Sequence, residues 1–189
     1  MRITGGQARG IPLTVPKGDA VRPATDAMRQ AVFSSLANRV AGARFLDLFA
    51  GSGAYGLEAF SRGASGGIFV EKDTRTAVFI RQNIAAVCKS LGHGVDDLRV
   101  INADAMTVST GVVPDLVFID PPYEMIPAVA PKLFARLSEL LGAKADPLIV
   151  FELPGQLTLS PEGWTCIKRL GKGTGQPTIG IFRANRALL

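Results

Sequence analysis

The sequence contains few of the residues that build metal centres and disulfide frameworks. Two cysteines and one histidine occur in 189 residues. Cys88 and Cys166 lie far apart without CxxC spacing, so we expect neither a zinc site nor a disulfide, and no metal cofactor. No apolar run approaches the roughly 18 to 20 residues of a membrane span, and residues 1–6 lack the apolar core of a signal peptide. The sequence therefore predicts a cytoplasmic protein without membrane contact.

Apolar residues are abundant by comparison. They form 47% of the chain and charged residues 20%, which is typical of an ordinary globular protein. The length suits one well-cored domain and is short for two, since domains commonly hold roughly 100 to 200 residues. We expect one domain with a small appendage, and a monomer.

Charge is distributed unevenly along the chain. Residues 1–44 hold seven Arg and Lys against two acids, residues 45–160 hold nine against thirteen, and residues 161–189 hold five against one. Basic ends around an acidic centre suit a polyanionic substrate such as a nucleic acid, which the basic ends would bind through its phosphates.

Strand-like and helix-like segments alternate from residue 45 onward, after a hairpin-like start over Arg2–Val15 and a helical pattern over Ala27–Val40. Alternation of this kind predicts an α/β fold with a mainly parallel sheet covered on both faces. The predicted strands are Phe45–Ala50, Gly67–Val70, Leu98–Ile101, Asp115–Ile119 and Pro147–Glu152, followed by a hairpin of Trp164–Leu170 and Thr178–Phe182. The predicted helices between them are Tyr55–Ser61, Thr74–Leu91 and Ile126–Leu141.

Glycines follow the first strand of this alternation at GxGxxG spacing: Gly51, Gly53 and Gly56. Glycine at such a turn lets the backbone approach a ligand closely. Glu71 ends the next strand, where a carboxylate can accept hydrogen bonds from ribose hydroxyls. The glycines alone leave a dinucleotide-dependent oxidoreductase open.

Two further acids favour S-adenosylmethionine as the cofactor. Asp47, just before the glycines, could bind the ammonium of a methionine moiety directly or through water, whereas it would repel a pyrophosphate. Asp104 follows the third strand and offers an acceptor for an adenine amino group.

The residues Asp120-Pro121-Pro122-Tyr123 end the fourth strand, at the edge where open α/β sheets bind ligands. Consecutive prolines cannot extend a central strand, and they leave carbonyls that can accept hydrogen bonds from a ligand. An acid, carbonyls and an aromatic ring together predict recognition of a flat group that carries N–H donors. A guanine or adenine amine and a protein glutamine all fit this description.

With these motifs the chain resembles the class I S-adenosylmethionine-dependent methyltransferases. It is most similar to the bacterial family that methylates guanine N2 in small-subunit (16S) ribosomal RNA. The resemblance spans nearly the whole chain and rests on the segments Arg2–Gly6, Arg22–Asp26, Asp47–Gly53, Glu71–Asp73 and Asp120–Tyr123.

The resemblance implies a seven-stranded, mainly parallel sheet with an antiparallel last strand. It also implies a β-hairpin extension over residues 1–20 and a methyltransferase domain over 21–189. S-adenosylmethionine is then the methyl donor, and ribosomal RNA, within or outside an assembled small-subunit particle, is the substrate.

The resemblance also implies roles for individual residues. The cofactor-binding residues it implies are Thr25, Arg29, Asp47, Ala50, Gly51, Gly53, Glu71, Lys72, Asp104 and Ala105. The implied RNA contacts are Arg2, Arg9 and Arg22, and the implied catalytic residues are Asp120, Pro121 and Tyr123.

An exocyclic amine on a nucleobase is a poor nucleophile, because its lone pair is delocalised into the ring. We expect Asp120 to accept one N–H and the Pro121 carbonyl the other, so that the lone pair points at the methyl group. Tyr123 would stack on the base. A paired base could not reach this position, so the target base would be unpaired or flipped out.

Overall fold

A computed structural model describes residues 1–15, 25–171 and 176–185. Arg22, one of the three predicted RNA contacts, lies outside the described residues. The strands are β1 Arg44–Leu48, β2 Gly66–Glu71, β3 Leu98–Asn102, β4 Leu116–Ile119, β5 Leu148–Pro154, β6 Trp164–Leu170 and β7 Pro177–Ala184. The helices are α1 Asp26–Leu36, α2 Ala54–Ser61, α3 Thr74–Leu91 and α4 Ile126–Leu141, with single 3-10 turns at Ala37–Arg39 and Tyr123–Met125.

The strands form one sheet in the order β3-β2-β1-β4-β5-β7-β6. The pairs from β3 to β5 are parallel, and β7 runs antiparallel between β5 and β6. The predicted mainly parallel sheet with an antiparallel last strand is confirmed. The central strand β4 is buried at every position, which explains its uninterrupted apolar sequence.

Helices cover both faces of the sheet. Helices α1 to α3 pack on one face and share a core with Phe45, Phe69 and Phe118. Helix α4 packs on the other face against Phe151 and Phe182. Within the described residues, no helix has both the length and the apolar character to cross a membrane.

The N-terminal segment, residues 1–15, forms less regular structure than the predicted hairpin. It contains one isolated antiparallel bridge, between Arg2 and Pro12. Pro12 cannot donate to a ladder, which limits strand pairing there. Ile3 and Leu13 are buried in the same core as α1 to α3, so this segment is packed into the fold rather than projecting from it.

Helix α2 binds the N-terminal segment through a buried carboxylate. Glu58, 0% exposed, accepts hydrogen bonds from the Thr4 backbone N–H and hydroxyl, both at 2.7 Å. Arg62, one helical turn on, pairs with the same carboxylate at 2.8 Å. On α3, Asn83 donates to the Thr14 and Ser52 carbonyls, both at 2.9 Å, and so links the segment to the glycine loop.

Candidate active site

The glycine loop after β1 and the Asp120–Tyr123 segment after β4 begin side by side. Leu48 and Ile119 are paired in the parallel register of these neighbouring strands. The Asp120 backbone N–H donates to the Leu48 carbonyl at 3.5 Å. The structure therefore brings together the two motifs that the sequence separates by about 70 residues.

The glycine loop, residues 49–53, is held in an unusual backbone conformation. Phe49 has a φ of 58°, a left-handed value that costs a non-glycine residue roughly 1 to 2 kcal/mol. Strain of this kind concentrates at functional sites. Gly51 also has a positive φ, of 55°, and a Cβ built there would meet nothing closer than a backbone oxygen at 4.0 Å. Gly51 therefore faces open space that a ligand can enter.

The other two glycines face the protein interior. A Cβ on Gly56 would lie 2.5 Å from the Phe45 ring, and one on Gly53 would lie 3.2 Å from the Phe69 ring. These glycines bring α2 close to the sheet. The three glycines thus divide into one that faces open space and two that allow close packing.

Asp47 is buried beneath this loop. The residue is 1% exposed, and its Oδ2 accepts a hydrogen bond from the Gly56 backbone N–H at 2.9 Å. Burial raises the pKa of Asp47; the Gly56 hydrogen bond opposes this rise and the Glu71 charge adds to it, and together they bring the pKa to about 8. A cation placed near this carboxylate would favour its charged form.

Glu71 and Asp104 continue the row of acids along the edge of β2 and β3. Glu71 accepts from the Gly51 backbone N–H at 2.9 Å, which ties the end of β2 to the glycine loop. Asp104 accepts from the Met106 backbone N–H at 2.9 Å and pairs with the exposed Lys72 ammonium at 3.0 Å. The Met106 hydrogen bond and Lys72 lower the pKa of Asp104.

The two alanines predicted to contact the cofactor lie at strand ends in this row. Ala50 is buried, and its N–H donates to the Val70 carbonyl at 3.0 Å. Ala105 is buried, and its carbonyl accepts from Arg136 at 2.9 Å. Small side chains at both positions keep the edge of the sheet open.

The residues at this edge of the sheet are suited to bind a positively charged nucleoside. Gly51 faces open space, while Asp47, Glu71 and Asp104 end three adjacent strands. S-adenosylmethionine carries positive charge on its sulfonium and on the ammonium of its methionine moiety, and hydroxyls on its ribose, and carboxylates can bind these groups. Asp47, Gly51, Glu71 and Asp104 are the residues that would hold it.

The segment Asp120–Tyr123 combines a buried and an exposed part. Pro121 is buried, whereas Tyr123 is 39% exposed and is the first residue of a single 3-10 turn. Asp120 is partly exposed at the surface of the site. The pKa of its carboxyl is raised well above the usual range by desolvation, by Glu152 and by Asp47.

The structure places two residues beside this segment that the sequence does not single out, Tyr55 and Glu152. Glu152, on β5, is 2% exposed and accepts from the Tyr55 and Tyr123 hydroxyls, each at 3.3 Å. Burial raises the pKa of Glu152 to about 7, and the two hydroxyls oppose this shift. The available signal was its position at the carboxyl end of a strand, the same signal that identified Asp120.

Thr25 and Arg29 both make contacts within the protein. The Thr25 hydroxyl caps α1 by accepting from the Met28 N–H at 3.2 Å. Arg29 is 0% exposed and donates to the Arg2 carbonyl and the Asp26 carboxylate, both at 2.7 Å. In this arrangement both residues stabilise α1 and the N-terminal segment, and their contact with the cofactor stays a prediction.

The predicted RNA contacts that the structure describes, Arg2 and Arg9, lie on the surface of the N-terminal segment. The Arg2 side chain is 69% exposed, and its Nε lies 3.4 Å from the Asp26 carboxylate. Both guanidinium groups are therefore on a surface that a polyanion can reach. Their contact with RNA stays a prediction.

The sheet order, the glycine loop and the neighbouring Asp-Pro-Pro-Tyr segment define a class I methyltransferase. The chain belongs to the family described as conserved hypothetical protein 95, whose model matches residues 1–182. It is 40% identical to ribosomal RNA small subunit methyltransferase D of Escherichia coli (strain K12), over 97% of this chain and 89% of that protein. The protein of the same name from Haemophilus influenzae is 32% identical over 97% and 93% of the two chains. The solved structure of the putative methyltransferase yhhF from Escherichia coli superposes with a TM-score of 0.74, at 33% identity over 99% of both chains.

Proposed function

We propose that this protein transfers a methyl group from S-adenosylmethionine to the exocyclic N2 amine of a guanine in small-subunit ribosomal RNA. The observation that carries the proposal is the junction of β1 and β4. There, Asp120 lies beside the strained glycine loop, and its backbone N–H donates a hydrogen bond to the Leu48 carbonyl. Family membership and the relatives named as ribosomal RNA small subunit methyltransferases support the same reaction.

The cofactor supplies a methyl group on a positively charged sulfur. The chain's own residues must hold the cofactor cation and the target amine in line. Asp47, Glu71 and Asp104 supply negative charge at the edge of β1 to β3. Holding two reactants in line contributes much of the rate of such a transfer.

Asp120 and Pro121 act on the target amine. The Asp120 carboxylate accepts one N–H and the Pro121 carbonyl the other, which localises the nitrogen lone pair. The cofactor, when bound, would supply the methyl group and keep the electron pair on its sulfur; the methylated nitrogen is acidic, and Asp120 takes its proton or passes it to water. The raised pKa of Asp120 suits this step, because it makes the carboxylate a better proton acceptor than an ordinary Asp.

Tyr123 supports the base itself. The residue is 39% exposed beside Asp120, so a planar ligand can reach its side chain. Stacking on a flat aromatic ring requires that the base is unpaired or flipped out of a helix. Arg2 and Arg9 bind phosphates away from the reacting atoms and contribute affinity rather than base recognition.

We further infer that the protein acts as a monomer on RNA, within an assembled small-subunit particle or outside it, and that it is cytoplasmic. A particle substrate would offer phosphates beyond the target nucleotide, which the basic N-terminal segment could bind. Parallel assays with purified particles and with protein-free RNA distinguish the two substrates.

The test is the Asp120→Ala substitution, assayed with methyl-labelled S-adenosylmethionine and small-subunit RNA or particles. We expect loss of methyl transfer, while calorimetry shows that cofactor binding survives. Glu124→Ala is the matched control, because Glu124 is an exposed acid four residues on that the proposal gives no role. Methyl transfer at the wild-type level by the Asp120 variant would contradict the catalytic role of Asp120.

A further inference from the structure

Glu152 lies next to Asp120, although the two residues are 32 positions apart in the sequence. Ile119 on β4 and Phe151 on β5 are paired in the parallel register. Asp120 and Glu152 follow them at the same level, on strands about 4.8 Å apart. Phe118 and Val150, one residue earlier on each strand, belong to the core on the α1 to α3 face. Because side chains alternate along a strand, both acids point to that face.

The Glu152 carboxylate joins two tyrosine rings of different exposure. Tyr55 is 6% exposed, and its ring stacks on Phe118 with centroids 5.5 Å apart and an interplanar angle of 13°. Tyr123 is 39% exposed and belongs to the proposed base-binding segment. Each hydroxyl lies 3.3 Å from a different Glu152 oxygen. The carboxylate therefore connects a ring fixed in the core to a ring at the surface.

We propose that Glu152 is a positioning residue that holds the Tyr123 ring at the angle needed to stack on the target base. The inference rests on the proposed function, since it assigns the ring a base to stack on. An exposed tyrosine side chain rotates about two torsions, and a hydrogen bond at its hydroxyl restricts both. If the ring is already ordered before RNA binds, less conformational entropy is lost on binding.

The geometry leaves room for adjustment when the base binds. Separations of 3.3 Å are longer than the roughly 2.5 to 3.0 Å usual for O–H···O hydrogen bonds, and catalytic contacts commonly shorten in a substrate complex. Both hydroxyls stay protonated donors, because burial and the neighbouring Glu152 raise the pKa of Tyr55 and of Tyr123. A carboxylate offers one acceptor oxygen to each hydroxyl, whereas a glutamine amide offers one acceptor oxygen and one NH2 donor group.

The test compares Tyr123→Phe, Tyr55→Phe and Glu152→Leu in steady-state methyl transfer to RNA. We expect Tyr123→Phe and Glu152→Leu each to raise the KM for RNA about threefold to tenfold, the range for loss of one hydrogen bond. Combining the two should raise KM no further, because both remove the same contact. Tyr55→Phe is the matched control: it removes the other hydroxyl and should leave KM unchanged. Glu152→Gln keeps one acceptor oxygen and should restore KM to within about twofold of wild type.

Additive effects of Tyr123→Phe and Glu152→Leu would overturn the proposal. An equal KM increase in Tyr55→Phe would also overturn it, since the contact of Glu152 with the buried Tyr55 would then matter as much as its contact with Tyr123. The dissociation constant for S-adenosylmethionine should stay the same in every variant, which separates the ring's position from damage to the cofactor site.

A second measurement does not depend on RNA. Tyr55 and Tyr123 are the two tyrosines of the chain, so tyrosine labelled with 13C in the ring gives one set of NMR signals from each. We expect Glu152→Leu to increase the mobility of the Tyr123 ring in the protein without RNA. Unchanged ring mobility would contradict the positioning role of Glu152. If wild-type protein transfers no methyl group to ribosomal RNA, the proposed function fails. The NMR measurement still tests whether Glu152 positions the Tyr123 ring.

Discussion

Removing the Glu58 carboxylate should release the N-terminal segment from α2. The carboxylate accepts from the Thr4 N–H and hydroxyl and pairs with Arg62, and it lies 4.0 Å from the buried Arg29 guanidinium. In Glu58→Ala the two Thr4 donors lose their acceptor. Arg29, 0% exposed, keeps Asp26 but loses a second negative neighbour.

The expected cost is large relative to the stability of a domain. Removing one partner of a buried ion pair costs about 3 to 5 kcal/mol, because the remaining charge stays in a poorly solvating environment. Domains are commonly stable by only about 5 to 15 kcal/mol. We therefore expect Glu58→Ala to fold with a clearly lower urea midpoint, and to expose the backbone of residues 1–15.

Urea denaturation and limited trypsin digestion measure the two effects separately. Trypsin cuts after arginine, and Arg2 and Arg9 both lie in the segment that we expect to be released. Glu139→Ala is the matched control, since Glu139 is an exposed acid on α4. A Glu58 variant with wild-type stability and wild-type resistance to cleavage at Arg9 would refute the reasoning.

Three further outcomes follow from the structure. Asp47 has a pKa of about 8 when folded and near 3.8 when unfolded, so the stability that its protonated form contributes is complete below about pH 3.8 and is lost progressively up to about pH 8. Between these two pH values the stability of the ligand-free protein should fall by up to roughly 1.4 kcal/mol per pH unit from this group, and Asp47→Asn should flatten the fall in urea titrations. Gly56→Ala should cost about 1 to 3 kcal/mol in the same assay, because the added methyl would overlap the Phe69 ring, and a neutral result would contradict the close packing of α2. Replacing Arg2 and Arg9 by Ala should weaken RNA binding and reduce its salt dependence, whereas identical salt titrations would reject the basic N-terminal contact.

Features encoded locally could be predicted from the sequence. The strand before Asp120 is a continuous apolar run that ends at two prolines, so its position needs no knowledge of the fold. The glycine loop likewise follows its strand directly. Both motifs meet where expected, because the carboxyl ends of parallel strands share one edge of the sheet.

Features that depend on contacts between distant residues could not be predicted. Glu152 reads as the end of one more apolar strand, and its role emerges only because β5 lies beside β4. Tyr55 is 97 residues from the carboxylate that it contacts. The resemblance places Arg29 among the cofactor-binding residues, but nothing in the sequence predicts that it is buried and donates to the Arg2 carbonyl.

The most direct test of the central claim is identification of the methylated nucleoside. Wild-type protein would be incubated with labelled S-adenosylmethionine and small-subunit particles or RNA from cells that lack the modification, and the digested product analysed by mass spectrometry. We expect N2-methylguanosine at one site, and none in the same reaction with Asp120→Ala. Label in N6-methyladenosine or in protein glutamine, or no transfer at all, would contradict it.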